Sequence, residues 1–245
     1  MTALCFDFGN ARQKAALFRD GQFEKEILLD SASLLQSVRE VCEKYLPTHS
    51  ILCSVIHHDK AIESFLAAST HFIYLDHHTP LPFESAYEKP ATLGMDRVAL
   101  VAAAWRQFPG QHSLVIGAGT CITYNFISKT SGFLGGGISP GLQMRFRAVH
   151  EFTDRLPRVE PENNFPFIGY NTGESIRSGV LNGIVAEVDG IIDYYRLRYT
   201  NFNALLTGGD TEFFERRLKN EIFADLFLTY RGLNSILEFN AVRKT

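Results

Sequence analysis

Two stretches of the chain are built to one plan. "CFDFGNARQKAALF" (5–18) and "LVIGAGTCITYNFI" (114–127) each read as a strand, a turn with glycine and a small polar residue, and a second strand. This internal duplication constrains the fold more than any single motif. It asks for two similar halves, each offering one glycine turn to a shared cleft. The 245 residues suffice for one large domain or two lobes with a substantial core.

Composition mainly excludes partners. Apolar content of 45% and charged content of 21% are ordinary for a globular protein. A net charge of −3 gives no reason to expect nucleic acid or an anionic membrane. No run approaches 18 apolar residues, and "MTALCFDFGN" has neither a basic leader region nor a cleavage site, so a cytoplasmic location is expected. Cysteines 5, 42, 53 and 121 form no Cys-x-x-Cys pair, and three sit in apolar runs; reduced core residues are expected.

Periodicity predicts a strand over 2–7 and a hairpin of 14–19 with 22–29 around Asp20-Gly21. A helix from Ser31 to Tyr45 follows from Leu34, Leu35, Val38, Val41, Cys42 and Tyr45. "SILCSV" and "FIYL" read as short buried strands around a helix near 59–68. A helix over 95–107, strands at 113–117 and 121–127, and a helix running toward His150 come next. The longest helix spans 174–198, its stripe running from Ile176 through Ile184 and Val188 to Tyr195. Its apolar face is wide enough for a core flank and a subunit interface. Asn171 with Glu174 is a candidate cap. A strand "NALLTGG" and a helix near 211–219 close the assignment.

Several motifs carry possible chemistry. In "DFGNARQK" (7–14), Gly9 lets backbone approach a phosphate, Asp7 suits magnesium and Lys14 suits phosphate charge; a plain Gly-Asn hairpin explains the same residues. In "LGMDRVA" (93–99), Asp96 is either a helix cap or a general base, with Arg97 as a substrate anchor. "GFLGGGISPG" (132–141) contains Gly137-Ile-Ser-Pro-Gly141, a match to a hydrolase nucleophile elbow. Pro140 has no N–H to give an oxyanion hole, which argues against that chemistry. Strand alternation argues against His77 and His78 gripping one metal, and His57 with His58 reads as solvated loop. "LLTGGD" (205–210) either closes over an adenine or ribose or ends a strand.

In order, "DFGNARQK", "YEKPATLGMDR", "GAGTCIT", "GFLGGGISPGL", "TDRLP", "NTGESIRSG", "LTGGD" and "RGLNSILEFN" resemble the type III pantothenate kinases of the actin-like sugar-kinase and Hsp70 superfamily, through nearly the whole chain. The resemblance implies an α/β, duplicated ribonuclease-H-like (actin-like ATPase) fold with two lobes around a central cleft. The lobes would be 1–110 and 111–245, the second with the dimerisation helix of a homodimer. It further implies ATP- and magnesium-dependent phosphorylation of pantothenate to 4'-phosphopantothenate, which opens coenzyme A biosynthesis. Asp7, Phe8, Gly9, Asn10, Ala11, Arg12, Gln13 and Lys14 would line the ATP phosphates, with Asp7 toward magnesium and Thr120 touching ATP. Tyr87, Gly94, Met95, Asp96 and Arg97 would bind pantothenate, Asp96 as proton acceptor. Thr172 would contact it from the partner subunit.

The chain departs from this pattern at Gly117, where the family usually has the Asp that binds activating potassium or ammonium. Another Asp often stands where Asn125 does. Glycine offers a cation at most a carbonyl. Two readings follow: an active pantothenate kinase, or a catalytically weakened relative that keeps the pocket and dimer as a ligand-binding or regulatory protein.

Overall fold

The computed structural model describes residues 1–243. In chain order the elements are β1 (Thr2–Phe8), β2 (Gln13–Arg19), β3 (Gln22–Leu28), α1 (Leu34–Tyr45), β4 (His49–Ser54), α2 (Lys60–Ser69), β5 (His71–Tyr74) and α3 (Met95–Gln107). Then come β6 (His112–Ala118), β7 (Cys121–Ser128), β8 (Gly132–Pro140), α4 (Leu142–Glu151), α5 (Thr172–Arg196), β9 (Phe202–Thr207), α6 (Thr211–Glu215), β10 (Phe223–Ala224) and α7 (Leu228–Arg243).

The β2–β3 hairpin forms where Asp20 and Gly21 both take positive φ, 47° and 77°, the backbone of a two-residue turn matched to strand twist. β2 also pairs antiparallel with β1, while β4 and β5 extend the sheet in parallel, giving the order β3-β2-β1-β4-β5. Alternation then divides the side chains of β1. Leu4, Phe6 and Phe8 join Val38, Leu52, Ile62 and Leu66 in a core under α1 and α2. Cys5 and Asp7 face the other way, toward the side against which α7 packs. The second sheet, β10-β9-β6-β7-β8, repeats the plan: β6 is antiparallel to β7 and parallel to β9, which is parallel to β10. Its core joins Leu114, Ile116 and Ala118 to Leu181, Ile184, Val188 and Ile192 of α5.

The chain falls into two compact units, one of 1–109 with 130–134 and 227 onward, the other of 110–129 with 135–226. The last helix belongs to the first unit. α7 packs along α3 and against β1 and β4, and at their contact a Cβ on Gly232 would stand 1.7 Å from the Ala99 carbonyl oxygen. Only glycine lets the two backbones approach so closely.

Three elements went unassigned by periodicity. β8 is rich in glycine because a Cβ at Gly136 (φ 150°) would lie 1.9 Å from the Tyr124 carbonyl oxygen, leaving no room for strand-forming side chains. α7 buries Asn234, Ser235 and Asn240 along with its Leu and Ile residues, which blurs its stripe. The Asn240 amide donates to the Pro80 carbonyl at 2.9 Å. β10 has two residues, too few for a pattern. The helix expected near 211–219 stops after five residues, and that of 174–198 begins earlier, at Thr172. Asn171 caps it, accepting from the Glu174 N–H at 2.9 Å, while Glu174 accepts from the Tyr170 N–H at 2.8 Å. Beside the buried stripe of α5, Val180, Val185, Ile191 and Tyr195 are partly buried against the same core.

Candidate active site

In the first unit, Asp7 is the last residue but one of β1 and pairs in register with Lys14 on β2 and Cys53 on β4, so the three side chains share one face. Asp96, in the first turn of α3, faces the same spot. Burial, then the negative charge of Asp96, push the Asp7 carboxyl from 3.8 up to about 6. Protein atoms crowd the carboxylate although the residue keeps a partial opening to solvent. The Cys53 thiol is also pushed up, first by burial and then by the charges of Asp7 and Asp96, which places all three together. Asp96 reaches its position by folding over Gly94, where a Cβ would meet its Oδ1 at 2.5 Å.

The turn between β1 and β2 is closed by the Gly9 N–H, which donates to the Arg12 carbonyl at 3.1 Å. Asn10, Ala11 and Arg12 are exposed at its tip. Phe8 and Gln13 lie on the opposite face from Asp7. Phe8 is fully buried, and the Gln13 amide donates to the Gly9 carbonyl at 3.0 Å, bracing the loop from behind. An open groove of about 570 Å³ on that rear face is lined by Gln13, Ser31, Arg39, His57 and His58 among others, and by neither Asp7 nor Asp96. Of the strand residues in "DFGNARQK", then, Asp7 and Lys14 share the face on which Asp96 lies, and Phe8 and Gln13 share the other.

The other expected substrate residues of this unit assemble beside Asp96. The rings of Tyr87 and Phe133 are near parallel, 6.3 Å apart, and the buried Arg97 guanidinium lies 5.9 Å and 6.0 Å from their centroids. A guanidinium held against two aromatic faces is stiffened there. Met95 is half-buried one residue before Asp96. Phe133 was not singled out from sequence; an aromatic in a glycine run was the available signal.

Thr120, Gly117 and Thr172 belong to the second unit. Thr120 is exposed in the β6–β7 turn, and Thr172 is exposed at the start of α5. Gly117 is sixth of the seven residues of β6, as Asp7 is of β1, and the two sheets share one strand order. It is flanked in register by Thr123 and Thr207. Asn125 is buried, its amide donating to the Val115 carbonyl and Thr123 Oγ1, both at 3.1 Å.

The histidines differ from expectation. His58 is not solvated: its side chain is 4% exposed, with Nδ1 3.0 Å from Ser54 Oγ and Nε2 3.0 Å from Glu63 Oε1. His77 and His78 lie in a turn rather than a strand, with ring centroids 3.9 Å apart. Among the described residues no group of three His, Cys, Asp or Glu side chains is arranged to hold a metal by itself. Ser139 accepts from Arg145 at 2.6 Å and has no histidine beside it in the described contacts.

A family model described as type III pantothenate kinase matches residues 3–194. The chain belongs to the type III pantothenate kinase family. It is 45% identical over 238 residues to the type III pantothenate kinase of Bacteroides fragilis, covering 97% of this chain and 98% of that one. With that of Flavobacterium johnsoniae it shares 41% over 240 residues, 96% and 97% of the two chains. Among solved structures, a Baf family protein from Campylobacter jejuni superposes with a TM-score of 0.64 at 22% identity, over 98% and 99% of the chains. A glucokinase from an Antarctic psychrotroph gives 0.52 at 12%, over 97% and 99%. These two likenesses concern the fold: α/β, duplicated and ribonuclease-H-like, as the paired five-stranded sheets have it.

For a type III pantothenate kinase, the ligand chemistry divides in two. Asp7 beside Asp96 concentrates carboxylate oxygen where a small hard cation with phosphate is the natural counter-charge, so these residues fit magnesium. At Gly117 the strand itself brings no side-chain oxygen: its register neighbours are Thr123 and Thr207, and the Asn125 amide donates to the Val115 carbonyl and Thr123 Oγ1.

Proposed function

We propose that this family member transfers the γ-phosphoryl group of ATP to the terminal hydroxyl of pantothenate, forming 4'-phosphopantothenate. The observation that carries the reading is the Asp7–Asp96 pair on one face of the first unit, with Lys14 opposite Asp7. In this mechanism Asp96 takes the hydroxyl proton as the oxygen forms its bond to phosphorus and the bond from phosphorus to the departing ADP breaks. Magnesium, when bound, supplies neutralisation of phosphate charge, and Asp7 is the residue that would hold it. Lys14 adds a positive charge, and the Gly9–Arg12 turn offers backbone groups to the nucleotide. Arg97, stiffened by Tyr87 and Phe133, is suited to the pantothenate carboxylate, with Thr172 contributing across a homodimer. Four free thiols, three of them buried, suit action in a reducing cytoplasm.

We assign no role to potassium or ammonium in this chain, because no carboxylate stands at position 117 and the Asn125 amide is turned to the sheet. A coupled ATP–pantothenate assay, with and without either cation, tests the reading. Turnover should be present without them, and Asp96→Asn should lower kcat by about 10²–10⁴-fold while the variant keeps a cooperative unfolding transition. Full turnover in a folded Asp96→Asn variant refutes the mechanism.

A further inference from the structure

Lys14 is tied down on the side away from Asp7. Its Nζ lies 2.9 Å from Glu26 Oε2 on β3, and the Tyr230 hydroxyl of α7 donates to that same oxygen at 3.0 Å. Register explains the meeting. Lys14 stands opposite Asp7, and Glu26 opposite Ala16, so Glu26 sits one diagonal step from Lys14 on the same face. The Tyr230 ring is itself buried and near-parallel to Phe23, at 6.5 Å, while Phe23 stacks on Phe227 at 4.4 Å.

Stability alone gives little reason for this arrangement. A partly exposed ion pair contributes modestly at best, and Glu26 adds a third carboxylate to a face already crowded by Asp7 and Asp96. Its charge is one of the causes that disfavour Asp7 ionisation. What the arrangement does supply is geometry: a four-carbon side chain that would otherwise sample many rotamers is held in one.

We propose that Glu26 and Tyr230 are positioning residues, the Tyr230 hydroxyl fixing the Glu26 carboxylate and Glu26 holding the Lys14 ammonium in one rotamer on the β3 side of Asp7, where nucleotide phosphate can meet it. The proposal rests on the kinase reading above. Neither residue touches substrate in this role; both act through Lys14.

The test is a double-mutant cycle on nucleotide affinity. It uses calorimetry with magnesium and a non-hydrolysable ATP analogue, beside kcat and KM for both substrates. Lys14→Met should weaken the analogue about tenfold, Glu26→Gln about fivefold and Tyr230→Phe about threefold. KM for pantothenate should stay within about twofold in each. The variant carrying both Lys14→Met and Glu26→Gln should bind no worse than Lys14→Met alone, because Glu26 has nothing left to position. Independent losses that add in the double variant overturn the proposal, as does unchanged affinity in Glu26→Gln and Tyr230→Phe. Tyr230→Phe keeps the buried ring, so it remains readable should Glu26→Gln unfold. A wild-type protein that binds the analogue but makes no phosphopantothenate refutes the kinase reading while leaving this cycle to be read.

Discussion

Asp7 is held where its own ionisation is disfavoured, first by burial and then by Asp96. Its carboxyl is raised in the folded state, so the folded protein holds a proton that the unfolded chain releases between pH 3.8 and about 6. The associated stability is present below that window and is lost as pH rises through it. Converting 3.8 to about 6 at 1.36 kcal/mol per pH unit gives a ceiling of roughly 3 kcal/mol. Asp7→Asn should therefore raise the unfolding midpoint of the nucleotide-free protein at pH 8, and the gain should vanish by about pH 4. Thermal scans across pH read this directly; a gain that persists unchanged at acid pH contradicts it. The same substitution should weaken magnesium-nucleotide binding, a trade of stability against function. Gly117 is the converse case. Gly117→Asp puts a carboxylate at the position in β6 that Asp7 has in β1, and turnover should then become potassium-stimulated where the parent protein's is not. Titrating both with potassium chloride against choline chloride separates cation binding from ionic strength. Asp7, Lys14 and Asp96 stand out as candidates in the sequence because glycine turns and a helix start mark their places. The partners of Lys14 do not, since nothing in "QFEKEIL" distinguishes Glu26 from Glu24, which pairs with Arg19 instead.

At the scale of elements, legibility followed burial pattern. Strands with alternating or continuous apolar residues and helices with one buried stripe were readable. β8 and α7 were not, because each is shaped by how closely another backbone approaches. Gly232→Ala tests this for α7. A methyl directed at the Ala99 carbonyl from 1.7 Å cannot be absorbed by a side-chain shift, so α3 and α7 must separate. The expected loss is about 1–3 kcal/mol or more, read as a lower unfolding midpoint by circular dichroism. Activity should fall along with it, because Asp96 and Tyr230 are carried on those two helices.

At the scale of the molecule, the exposed apolar residues leading into α5 bear on assembly. Phe167, Ile168 and Tyr170 are 78%, 66% and 86% exposed, just ahead of Thr172. Contiguous exposure of this kind commonly marks an interface. Light scattering should give about twice the chain mass of 27.5 kDa, and Phe167→Glu with Tyr170→Glu should reduce it to the single-chain value. A monomer before substitution would remove the homodimer, and with it a Thr172 contribution from a partner.

The sequence by itself determined the duplication, the two glycine turns, the acids at 7 and 96 and the absence of one at 117, because each depends on residues adjacent along the chain. The tertiary structure alone decided that the final helix returns to the first unit and brings Tyr230 to Glu26, a meeting of residues 204 positions apart. Local patterning encodes which face of an element is apolar. Which distant element covers that face depends on packing between backbones, and no window of sequence contains both partners.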